Sequence, residues 1–197
     1  MTQQLRIKRL TRRGLLVALV LLQDFLPLLG NIPLGPLSIT TLPITVTVVA
    51  IILGPGEGAF LGGFWGVLTW VRAFTYPSSP LAPLVFTNPL IAILPRILVG
   101  VVAGYTFLFL KNRFPRWGAM LAGGLGALTN TVLVLGGIYI FARTSSVASF
   151  YHTDVTALGT VLMTIAGSNG MIEMITTAIL APLIALPVRQ IVIKGQH

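Results

Sequence analysis

The stretch NPLIAILPRILVGVVAGYTFLFL, residues 88–110, decides the fold class. It reads as one apolar helix with a single charge, Arg96, and no other charged residue occurs from Ala73 to Leu110. Asn88 and Pro89 suit a helix start. The Asn side chain can cap, and proline lacks a donor that the first turn leaves unpaired anyway. A run of about 20 apolar residues matches the hydrocarbon thickness of a bilayer. A guanidinium at that depth costs roughly 2.5–3.5 kcal/mol unless it faces a polar cavity or a partner. Arg96 is therefore expected to be a functional cation, aimed at an anionic group inside a helix bundle.

The rest of the chain agrees with this setting. Of its 197 residues 55% are hydrophobic and 9% are charged, where a soluble domain carries about 25% charged residues. A single integral membrane domain over 1–197 is expected. There is no cysteine, hence no disulfide and no thiolate chemistry. Asp24, Glu57, Asp154 and Glu173 are the only acids, and His152 and His197 the only histidines. That scarcity argues against an enzyme, and no metal or cofactor site is expected. The net charge of +9 is read as the orienting charge of membrane loops rather than as a nucleic-acid footprint.

Six transmembrane helices are expected, at about 11–29, 43–53, 57–75, 89–110, 117–141 and 168–188. The segments NIPLGPLSITTLP (31–43), TYPSSPLAPLVFTNP (75–89) and 142–154 are read as long extracellular loops, the first with short extended pieces. Proline and glycine preclude a continuous helix in the first two. Residues 155–193 are too long for one span of about 20 residues. Gly167-Ser168-Asn169-Gly170 is taken as an interruption, which leaves a short surface helix at about 155–166. The basic residues set the orientation. Ten of them (Arg6, Lys8, Arg9, Arg12, Arg13, Lys111, Arg113, Arg116, Arg189, Lys194) fall on the side of the termini, against Arg72 and Arg143 on the other. Both termini are therefore expected in the cytoplasm.

Small residues recur at fourfold spacing: Gly58, Gly62 and Gly66; Gly100 and Gly104; Gly118, Ala122 and Gly126. Such stripes let helix backbones approach closely in lipid. Gly14 and Ala18 form a further pair near the basic end of the first helix, where a partner helix could dock. The polar residues of the outer half suggest one outward pocket. Trp65, Thr69 and Arg72 follow i, i+4, i+7 and share a helix face. Trp65 and Thr69, with Arg96, Asn130, Asn169, Glu173, Asn88 and Phe64, give the candidate binding set. Competing structural roles are a cap for Asn88, interfacial snorkelling for Arg72, a salt bridge to Arg96 for Glu173, and an interfacial anchor for Trp70. Gln23 and Asp24 read as caps of the adjoining loop.

No HExxH, Walker A or GxGxxG motif appears, nor a pair of intramembrane acids. What remains is a binding site without an engine. At this point the chain resembles the substrate-binding S components of energy-coupling factor (ECF) vitamin transporters, among them those that carry pantothenate. The resemblance covers essentially the whole chain. It rests on IPLGPLSITTLP, LGPGEGAFLGGFWG, LVFTNPLIAILPRILVGVVAGY and GALTNTVLVLGGIYIF. The S components often carry an AxxxA pair on the first helix that meets the coupling subunit; here Gly14 departs from the first alanine and Ala18 matches the second. The resemblance implies a high-affinity vitamin-binding subunit in the cell membrane. Its partners would be a transmembrane coupling subunit and two ATPase subunits. Pantothenate offers a carboxylate for Arg96, an amide and hydroxyls for Asn130 and Asn169, and an apolar part for Trp65 and Phe64. The competing expectation is a stand-alone secondary carrier for a small anionic metabolite.

Overall fold

The computed structural model describes residues 2–34 and 37–194. Met1, Gly35, Pro36, Gly195, Gln196 and His197 lie outside them. The chain begins with α1 (Thr2–Phe25) and a single turn, α2 (Pro27–Gly30). An antiparallel pair follows, β1 (Asn31–Leu34) and β2 (Leu37–Thr40), in which Asn31 faces Thr40. Then come α3 (Leu42–Leu53), α4 (Pro55–Thr75) and the short α5 (Ala82–Val85). Next are α6 (Pro89–Ala92), α7 (Leu94–Leu110), α8 (Pro115–Phe141) and α9 (Ser145–Phe150). The chain closes with α10 (Leu158–Ile165), a π-helical turn (Ala166–Gly170) and α11 (Met171–Lys194).

Among the described residues, three helices are long and apolar enough to cross a membrane: Pro89–Leu110, Pro115–Phe141 and Leu158–Ile191. The last corrects the expected break at residues 167–170. Gly167-Ser168-Asn169-Gly170 does not end the helix; it widens into one π turn, and α10 runs on into α11. The physical reason is local. The Ser168 hydroxyl donates to the Thr164 carbonyl at 2.8 Å, which absorbs a polar side chain without leaving the helix. A π turn accommodates one extra residue where two faces of a helix must both pack. Residues 155–157 are non-helical, so the expected separate surface helix is the N-terminal part of this long element. The short extended pieces expected in 31–43 are present as the β1–β2 pair, the only strands among the described residues.

Close packing follows the glycine stripes. A Cβ on Gly62 would overlap the Arg96 carbonyl, one on Gly100 the Gly58 backbone, and one on Gly66 the Ile93 backbone. Helices α4 and α7 therefore touch backbone to backbone, which only glycine permits. Gly123 does the same for α8 against the Thr177 carbonyl of α11. Between α3 and α4 the chain reverses at Gly54, whose φ of 99° disfavours any side chain. One buried cluster joins α3, α7, α8 and α11 through small residues such as Ala50, Ala103, Ala119, Ala122, Ala181 and Ala185. Another joins α1, α3, α4 and α7 through Val20, Leu42, Val46, Leu61, Trp65 and Val99. Many large apolar side chains point outward, Phe109 at 81% exposed and Ile140 at 70% among them. An apolar exterior around a small-residue interior is what lipid as solvent selects.

Candidate functional site

The backbone contact of Gly62 with the Arg96 carbonyl fixes where α7 presents Arg96. Its side chain is 5% exposed. Nη1 donates to the Ile91 carbonyl at 2.8 Å, and the guanidinium lies 5.0 Å from the Trp65 ring centre and 4.9 Å from that of Phe86. Nε is buried without a partner. Two aromatic faces stabilise a cation without neutralising it, so the positive charge stays available. Arg96 borders a cavity of about 750 Å³ whose walls include Trp65, Thr69, Arg72, Phe86, Tyr76 and Thr40.

The α4 face expected from the i, i+4, i+7 spacing is intact: Trp65, Thr69 and Arg72 all line this cavity. The Thr69 hydroxyl donates to the Trp65 carbonyl at 3.0 Å. Arg72 has a partner within the protein. Its guanidinium pairs with the Asp24 carboxylate and donates to the Asp24 carbonyl at 2.8 Å. Nor is Asp24 merely a loop cap; it ties α1 to α4 across the cavity wall. Gln23, also in the wall, accepts the Thr45 hydroxyl at 2.9 Å. Trp70, expected as an interfacial anchor, donates its indole N–H to the Thr87 carbonyl at 2.9 Å. It thereby holds the segment that carries Phe86.

Glu173 forms no ion pair with Arg96 among the described residues. Its carboxylate accepts the Thr40 N–H at 3.0 Å and is 7% exposed. It pins the end of the hairpin to α11, and Thr40 is part of the cavity wall. The remaining candidates lie outside the wall. Asn88 caps α6 and accepts the Leu90 N–H at 3.0 Å. Phe64 packs beside the cluster built on Val20 and Leu61. Asn130 on α8 keeps a buried Oδ1 without a partner. Asn169 sits in the π turn. Sequence reasoning did not single out Phe86 or Tyr76. The one signal for Asp24 and Arg72 was an acid and a base near the C-terminal ends of two apolar helices. No cluster of His, Cys, Asp or Glu among the described residues has the makings of a metal site.

The chain matches the ECF transporter substrate-specific component family over residues 8–185. It belongs to that family. It is also 45% identical to the pantothenate transporter PanT of Leuconostoc mesenteroides, over 60% of this chain and 62% of that protein. It thus spans somewhat less than two thirds of that relative. The pantothenic acid transporter PanT of Lactococcus lactis is 35% identical, over 82% of this chain and 83% of its own length. This S component is a membrane protein of a transporter family. Its cavity brings together the Arg96 guanidinium, the Trp65 and Phe86 rings, and Thr40 at the end of β2.

Proposed function

We propose that this S component binds pantothenate with high affinity and delivers it to an ATP-driven importer through a coupling subunit. The observation that carries the reading is Arg96: buried, its guanidinium 5.0 and 4.9 Å from two ring centres, and lining a cavity of about 750 Å³. A carboxylate entering there completes the donor set with a charge-assisted bond. The names of the two relatives support pantothenate as the ligand. Trp65 and Phe86 would cover the gem-dimethyl portion, and Thr69 offers its hydroxyl oxygen. Glu173 acts indirectly by holding Thr40 in the wall. Asn130 and Asn169 are proposed for the amide and hydroxyl end, Asn130 on the strength of its unpartnered Oδ1. Asn88 and Phe64 are proposed to support the site from behind, one by starting α6 and the other by backing α4.

In this reading α1, α3, α4, α6–α7, α8 and α10–α11 make six spans. Both termini lie in the cytoplasm and the cavity opens outward. Gly14 and Ala18, both exposed, are proposed as the docking face for the coupling subunit, and ATP hydrolysis belongs to partner ATPases. Titration calorimetry of the purified chain tests the ligand. Tight binding of pantothenate and none of thiamine, a cation, is the expected result. Failure to bind pantothenate would remove the vitamin assignment. Uptake into liposomes by the isolated chain would replace the subunit reading with a stand-alone carrier.

A further inference from the structure

A second cavity, of about 840 Å³, lies at the opposite end of the bundle between the start of α8 and the second half of α11. Its walls are graded. Lys111, Arg116 and Arg189 stand at one end, while Met120, Ile179 and Leu183 line the rest. From Ala178 to Gln190 the α11 wall covers about 18 Å at 1.5 Å per residue. No acid lines it. The four acids of the chain are placed elsewhere, and Glu57, the one nearest in depth, is engaged by Arg13 at 2.9 Å. Arg189 rests over the Phe107 ring at 5.3 Å, which positions its charge without cancelling it. The apolar stretch opens outward: Leu183 is 65% exposed and Ile179 49%. Pro182 and Pro187 interrupt the α11 ladder within the groove, each withholding a donor from the carbonyl one turn earlier.

We propose that this groove binds one anionic phospholipid, its phosphate among Lys111, Arg116 and Arg189 and an acyl chain along Met120, Ile179 and Leu183. Three cations with no acid complement a phosphodiester. The adjoining exposed apolar wall complements a chain and would gain nothing from a free phosphate. Basic pockets at helix ends are suited to anionic headgroups, and each cation near the surface strengthens binding about fivefold. A docked protein helix would need an acidic face at the basic end, and this reading does not require one.

The test is native mass spectrometry of the purified full chain in mild detergent, with equal amounts of phosphatidylglycerol and phosphatidylcholine added. The chain is expected to retain one phosphatidylglycerol in clear preference. Combined Lys111→Gln, Arg116→Gln and Arg189→Gln should weaken that retention about a hundredfold. Removing three other cations, by Arg6→Gln, Lys8→Gln and Arg9→Gln, should leave it within about twofold. Arg116→Gln alone changes an exposed side chain and should cost about fivefold, which keeps the test open if the triple variant does not fold. Equal retention of the two lipids by the unaltered chain would overturn the proposal, as would an equal loss in the control variant. Displacement by inorganic phosphate would mark an ion site instead and also overturn it. A photo-crosslinker at Leu183 should label lipid; labelling of the coupling subunit or of a second copy would assign the groove to that partner.

Discussion

Arg96 is held by geometry rather than by a counter-ion, and this sets what its replacement should do. Arg96→Ala removes a buried charge that a bound carboxylate would otherwise complete. Truncating one partner of such a pair costs about 2–5 kcal/mol, so pantothenate affinity should fall by at least thirtyfold in calorimetry. Arg96→Lys should recover only part of it, because a point charge cannot reproduce the planar fork or the stacking between Trp65 and Phe86. Glu173 gives a complementary case. Its carboxylate accepts a backbone N–H from Thr40, so the acceptor matters more than the charge. Glu173→Gln keeps an acceptor and should bind nearly as well as the unaltered protein. Glu173→Ala strands a buried donor at about 1–3 kcal/mol and should loosen the hairpin. Binding and thermal unfolding measured on both variants check this. Equal damage from the two would show that the charge itself meets the ligand.

At the level of elements, α4 and α7 are one unit because glycine lets their backbones meet. The seam runs through Gly58, Gly62 and Gly66 on one side and Gly100 and Gly104 on the other. Gly62→Ala puts a methyl group into the Arg96 carbonyl, and overpacking of this kind costs about 1–3 kcal/mol. It should lower the thermal midpoint in detergent and also misplace Arg96. Gly136 has nothing within 4 Å of a Cβ. Gly136→Ala should therefore be neutral or slightly stabilising, since alanine is favoured over glycine by about 1 kcal/mol within a helix. Similar midpoints for the two variants would mean that α4 and α7 can slide apart without loss. Helix α1 is held differently, by ion pairs instead of a seam: Arg13 at its middle with Glu57, and Asp24 at its C-terminal end with Arg72.

For the whole molecule, this arrangement leaves one side of α1 uncovered. A Cβ on Gly14 would meet nothing within 4 Å, and Ala18 is likewise exposed. Neither residue lines the Arg96 cavity. Gly14→Leu and Ala18→Leu should therefore leave folding and pantothenate binding unchanged. In reconstituted vesicles with coupling and ATPase subunits they should abolish ATP-driven uptake, because a bulky side chain holds a partner helix away. Unimpaired uptake would move the docking face elsewhere. On the proposed reading, binding and transport map to different parts of the protein: the Arg96 cavity, and the open flank of α1.

The sequence by itself determined the solvent. Long apolar runs, scarce charge and glycine at fourfold spacing can be satisfied only in a bilayer and by close helix packing, because lipid offers backbone groups no hydrogen bonds. It also singled out Arg96, since a lone cation in such a run needs an environment that the run does not supply. The shared face of Trp65, Thr69 and Arg72 was legible for the same reason, being fixed by helical periodicity alone. The tertiary structure decided every pairing between elements distant in sequence. Asp24 with Arg72, Glu173 with the Thr40 N–H and Phe86 against Arg96 each join segments whose separation carries no periodic signal. It decided too that Gly167–Gly170 bends into a π turn rather than ending the helix. A glycine-rich tetrad permits either outcome, and packing of both flanking faces against the bundle selects between them.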